Sequence, residues 1–130
     1  MLHEHLQVIE SRDRPAAKVI SCDPAGNGRN DQTAESNISF LKRRGYTVRS
    51  RRSLIQDGLE MVRLALCPAA GEATLFVHER CKKLIEAMRK YHYAEGGSEL
   101  PVKDGADHCV DALRYFFVNR GGNEVRWRRY

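Results

Sequence analysis

The feature that most limits how this chain can fold is an alternation of period. Three short runs, Lys18-Val19-Ile20-Ser21-Cys22, Tyr46-Thr47-Val48-Arg49 and Ala73-Thr74-Leu75-Phe76-Val77, carry the β-branched and aromatic residues of buried strands. Each is followed by a longer segment whose apolar residues recur at helical spacing. Strands alternating with helices predict an α/β fold with a small, mostly parallel sheet flanked by helices. At 130 residues the chain fits one domain with one core. Parallel sheets are normally covered on both faces, so the strand at Lys18 should lie at an edge unless something pairs with it.

The helical segments follow in order. Leu2 to about Arg12 places Leu2, Leu6, Val8 and Ile9 on a weak amphipathic pattern that Pro15 ends. Asp31 or Thr33 is a candidate N-cap for a helix with Ala34, Ile38 and Leu41 inward and a stop at Gly45. Ser53 or Asp57 would cap the next, which carries Leu54, Ile55, Leu59, Val62, Leu64 and Leu66. Glu79 to about Tyr93 sets Leu84, Ile85, Met88 and Tyr91 on its inner side. The loop Glu95-Gly96-Gly97-Ser98 then leads, through Pro101-Val102-Lys103, to a last helix ending near Gly121-Gly122.

That last helix holds the densest chemistry. Asp107, His108 and Asp111 share a face at three- and four-residue spacing, opposite a stripe of Cys109, Ala112, Leu113, Phe116 and Phe117. Carboxylates so placed can hold a hard divalent cation through oxygen. Equally, Asp104 and Asp107 can simply favour a helix N-terminus.

Composition narrows the class of partner. The net charge is +5, and Lys42, Arg43, Arg44, Arg49, Arg51 and Arg52 crowd one segment, which hints at a polyanion. No apolar run approaches the ~18 residues of a membrane span, and Met1-Leu2-His3-Glu4-His5 lacks the features of a signal peptide. Cys22, Cys67, Cys81 and Cys109 form no CxxC pair and flank apolar stretches, which predicts buried free thiols in a reducing compartment. His78 and Cys81 stand three apart, but no second pair completes a metal set, so packing and capping are expected of them. His3, His5 and His92 carry no distinguishing signal. Trp127 and Tyr130 belong to a short basic tail, 121–130.

Asp23 stands where the first strand ends and the loop Asp23-Pro24-Ala25-Gly26-Asn27-Gly28 begins. Strand C-termini are where α/β sheets build sites, although Asp-Pro also starts ordinary turns. Taken together, CDPAG after a strand, then FLKRRGYTV, LIQDGLEMVRLAL, HERCKKLIEAMRKYHY and PVKDGADHCVDALRYFF resemble, in residues and order, the C-terminal nuclease domain of phage terminase large subunits. The resemblance runs from about Lys18 to Phe117. It implies an RNase H-like fold and a metal-dependent endonuclease that cuts concatemeric DNA during genome packaging in the host bacterial cytoplasm. It implies double-stranded DNA and other terminase or portal components as partners, and two Mg or Mn ions as cofactors. By motif, Asp23 is similar to the family's second acid and Asp111 to its third. His108 matches a position where related sequences often carry an active-site histidine, and Asp107 a supplementary ligand.

Two ions flanking a phosphate activate a water and neutralise the leaving oxygen. His108 suits proton shuttling or water orientation, or a plain hydrogen bond to Asp111 or the backbone. Lys103, just before the acidic helix, is the best-placed phosphate contact. Lys42, Arg43, Arg44, Arg49, Arg51 and Arg52 read as non-specific DNA contacts or as an ordinary solvated basic face.

One departure stands out. The family's first acid lies on an initial strand, and nothing before Asp23 matches it; Asp13 reads as a turn residue. The expectation is a nuclease-like portion over 1–120, the second half of the fold, nearly inactive alone and self-associating through an exposed strand edge. No GxxxxGK[ST] segment supports nucleotide hydrolysis. The rival expectations are a non-catalytic prophage remnant and a small α/β binding module whose aspartates only cap helices.

Overall fold

The computed structural model describes residues 2–12, 18–28, 35–93, 95–97 and 101–120. The candidate caps Asp31 and Thr33, the turn residues Asp13 and Pro15, Ala34, Ser98, Gly121-Gly122 and the basic tail lie outside them. The chain divides into two compact units, Met1–Ser50 and Arg51–Tyr130.

In the first unit, α1 (Leu2–Glu10) buries Leu6. Strands β1 (Val19–Ser21) and β2 (Thr47–Arg49) pair in parallel, with Val19 opposite Thr47, Ile20 opposite Val48 and Ser21 opposite Arg49. Parallel strands need a crossover, and α2 (Asn37–Arg43) supplies it with Ile38 and Leu41 buried. Its start is a true N-cap. Ser36, with extended backbone, accepts the Ser39 N–H at 3.1 Å on its hydroxyl. Its end is the expected glycine stop: Gly45 has φ +94°, where a Cβ would be strained. Glu10 then ties α1 to the α2–β2 turn, accepting from Arg44 Nη2 at 2.8 Å and from the Tyr46 hydroxyl at 2.6 Å.

The second unit is helical. Helix α3 (Ile55–Leu66) buries Gly58, Leu59, Val62 and Ala65; α4 (Lys82–Lys90) buries Ala87; α5 (Ala106–Arg120) buries Asp107, Val110, Arg114, Val118 and Asn119. Leu59, Ala87 and Val110 make the core, with Ile55, Met88, Tyr91, Tyr93 and Cys109 packed on it. The cap of α3 is the backbone of Leu54, not the side chain of Ser53 or Asp57, because the helix begins between them. Helix α4 is shorter than its pattern. A turn from His78 to Cys81 precedes it, and Tyr91 adopts extended backbone after it. His78 Nδ1 accepts the Arg80 N–H at 3.1 Å within that turn, while the N-cap residue Cys81 makes no side-chain cap bond.

Three expectations need correction. Residues 73–77 form no strand and join no ladder among the described residues; the amides of Thr74 and Leu75 both turn onto the Ala65 carbonyl, and Phe76 is 82% exposed. The described sheet therefore has two strands. The proposed apolar stripe of the last helix is partly outward: Ala112 is exposed and Phe116 is 46% exposed. Cys67 and Cys81 are exposed, and Cys22 and Cys109 half-buried, although all four are free thiols.

Candidate functional site

In the first unit, Asp23 follows β1 and is exposed. Its Oδ1 accepts the Ala25 N–H at 2.9 Å, which caps the short 3-10 turn Pro24–Asn27. One carboxylate oxygen therefore holds the loop at a strand's C-terminal end. The neighbouring Cys22 thiol is pushed up by burial and then by the charge of Asp23, so it stays protonated.

Among the basic residues of this unit, Arg43 pairs with Glu35 at 3.0 Å and lies over the Phe40 ring, and Arg44 pairs with Glu10. Those two guanidinium groups are partly engaged in holding the fold. Lys42 and Arg49 are exposed without an ion pair among the described residues, and so are Arg51 and Arg52 at the start of the second unit. Exposed cations of this kind contact phosphates without reading sequence.

In the second unit, the helical face expected to carry Asp107, His108 and Asp111 outward is split. Asp107 is 4% exposed and its Oδ1 accepts the Gly105 N–H at 3.0 Å. Asp104 accepts the Ala106 N–H at 3.1 Å, so the two aspartates together satisfy donors at the start of α5. His108 is exposed and Asp111 half-buried. Lys103 is exposed just ahead of the helix.

Arg114, to which the sequence assigned no role, organises Asp111. Its Nε and Nη2 both approach Asp111 Oδ1, at 3.2 and 3.1 Å, and the guanidinium lies 4.5 Å from the Tyr115 ring centroid. Arg114 is 4% exposed. The available signals were the three-residue spacing from Asp111 to Arg114 and a glycine, Gly58, inside an otherwise strong amphipathic helix.

Tyr91 adds a further polar atom. Its hydroxyl is buried and has no hydrogen-bond partner among the described residues. Burial raises its pKa above the ordinary tyrosine range, the negative charge of Asp111 adds to the shift, and Arg114 opposes it. Among the described residues no three His, Cys, Asp or Glu side chains gather as a ligand group. An open cleft of about 430 Å³ lies beside the start of α5, with Lys83, Lys90, Glu86 and Asp104 mixing charges along its wall.

A family model described as the terminase RNaseH-like domain matches residues 6–120. The chain belongs to that family. The match covers both units and includes β1 with Asp23 as well as α5 with Asp111. It makes the α/β architecture that of an RNaseH-like domain, as the motif resemblance implied. No significant match was found among curated proteins or solved structures. Among the described residues of this terminase RNaseH-like domain, no helix is long and apolar enough to cross a membrane.

Proposed function

We propose that this terminase RNaseH-like domain is a divalent-metal-dependent DNA endonuclease module, a hydrolase of phosphodiester bonds serving the packaging of a phage or prophage genome. The supporting observation is the family match over residues 6–120, which spans both motif aspartates, Asp23 and Asp111. In this reading Asp23 and Asp111 supply metal ligands, each with one carboxylate oxygen held by the protein. Asp107 acts from its buried position as an outer partner, and exposed His108 orients or relays a proton for the attacking water. Bound Mg or Mn would activate that water and offset charge on the phosphate. Lys103, with Lys42, Arg49, Arg51 and Arg52, holds the DNA backbone, and Arg43 and Arg44 divide their charge between DNA and fold. Such contacts make binding indifferent to sequence and sensitive to salt.

A second reading has a specific observation behind it. Asp23, Asp104 and Asp107 each accept a backbone N–H, and Asp111 pairs with Arg114, as they would in a non-catalytic remnant or binding module whose aspartates only stabilise structure.

Manganese titration combined with cleavage of plasmid DNA separates the two. The nuclease reading expects Mn binding, with at most weak Mn-stimulated nicking by this chain alone because no first acid precedes Asp23, and Asp111→Asn and Asp23→Asn each abolish both. The structural reading expects neither, with both variants changing only thermal stability. The same preparation, sized by light scattering, tests association between copies through the edge of β1 that is unpaired among the described residues.

A further inference from the structure

Burying a guanidinium beside a single carboxylate seldom gains stability, because desolvation offsets the attraction. Arg114 is nevertheless buried as deeply as any charged side chain described, and three features hold it there. Its stem crosses α3 at Gly58, where a Cβ would stand 2.4 Å from Arg114 Cγ and 2.8 Å from Cδ. Its guanidinium plane rests on Tyr115. Its Nε donates to Asp111 Oδ1 at 3.2 Å, and its Nη2 lies 3.1 Å from the same oxygen. The chain keeps a glycine in mid-helix to make this possible, at a cost to helix stability. An apolar side chain would fill the same slot more cheaply. The arrangement orients one carboxylate.

We propose that Arg114 is a positioning residue: from a slot opened by Gly58, it clamps Asp111 Oδ1 and presents Oδ2 to a divalent cation. This rests on the reading of Asp111 as a ligand. Partners that fix a ligand from behind typically change metal affinity 10–100-fold when removed. The sign distinguishes orientation from charge. Removing a nearby positive charge should, by Coulomb attraction alone, tighten binding of a cation. Loss of orientation weakens it.

The experiment measures Mn dissociation constants on the full chain, by electron paramagnetic resonance of free Mn, well below the melting temperature of each variant. Wild type should bind and Asp111→Asn should not. Arg114→Met keeps an unbranched stem against Gly58 but has no donors; it should weaken Mn binding about tenfold or more. Arg114→Lys keeps the charge but has one nitrogen in place of the fork, and should also weaken it. It decides the matter if Arg114→Met does not fold. Unchanged or tighter Mn binding in the Arg114 variants, with Asp111→Asn still dead, overturns the positioning role and leaves Asp111 a ligand. Mn binding that is absent in wild type, or indifferent to Asp111→Asn, overturns the ligand reading and this inference with it.

Discussion

Gly58 and Arg114 compete for one volume: a methyl group on residue 58 would stand 2.4 Å from Cγ of Arg114, well inside van der Waals contact. Val118 Cγ2, at 3.1 Å, closes the same space from the next turn of α5. Elsewhere in a helix Gly→Ala stabilises by roughly 0.5–1 kcal/mol. Here overpacking against a buried stem opposes that gain with about 1–3 kcal/mol. Gly58→Ala is therefore expected to destabilise by about 1 kcal/mol in urea unfolding. In an Arg114→Ala background the obstruction is gone, and the same substitution should become stabilising. Additivity of the two changes would show that the residues do not interact.

Tyr91 carries a buried hydroxyl with no partner among the described residues. Tyr91→Phe keeps the ring and removes the unsatisfied oxygen, a group whose desolvation costs about 1–3 kcal/mol. The variant should be at least as stable as wild type at neutral pH, by about 1 kcal/mol in the favourable case.

The alkaline limb supplies a second readout for the same residue. The folded-state pKa of Tyr91 is raised, chiefly by burial, while an unfolded tyrosine ionises near ~10. Below pH ~10 both states hold the proton, and the contribution of the neutral hydroxyl is fully present. Above it the unfolded chain binds fewer protons than the folded one, so stability falls as pH rises through the folded value. Tyr91→Phe should flatten part of that fall in melts between neutral and strongly alkaline pH. Tyr46, raised chiefly by its hydrogen bond to Glu10, retains its own share.

Ser36 is the N-cap of α2 and is buried. Its hydroxyl accepts the Ser39 N–H and donates to the Ser39 hydroxyl at 2.9 Å. Ser36→Ala should cost about 1 kcal/mol in thermal or urea unfolding, and Ser36→Asp should recover most of it. An Ala variant as stable as wild type would mean that the cap is made elsewhere.

Much of the first unit was legible before the fold was known. Short runs of β-branched and aromatic residues placed β1 and β2, helical spacing picked out Ile38 and Leu41, and Gly45 marked the stop of α2. These are local effects of backbone geometry and solvent exclusion, so a short window of sequence suffices. The strand end at Asp23 was legible for the same reason, and its turn-capping bond is the chemistry that Asp-Pro sequences favour.

The third strand shows where local reasoning fails. Ala73 to Val77 has the residues of a strand but forms none in the described structure, because a ladder needs a second edge within hydrogen-bonding reach. The described structure gives the Thr74 and Leu75 amides only the Ala65 carbonyl. Propensity selects a conformation; pairing depends on segments remote in sequence.

Helix α5 makes the same distinction at the candidate site. Its composition identified a helix and placed Asp107, His108 and Asp111 within one turn of each other, because a 3.6-residue period leaves no other choice. Spacing assigned the inward side to Cys109, Ala112, Leu113, Phe116 and Phe117, whereas Val110 and Val118, no more apolar, are the residues that became buried. The rotation was settled by partners far along the chain: a glycine at 58 that admits the Arg114 stem, and the core residues Leu59 and Ala87 that meet Val110. The same rotation buried Asp107 and gave Asp111 its guanidinium. Spacing along a helix is written residue by residue, whereas burial is a property of what packs against it.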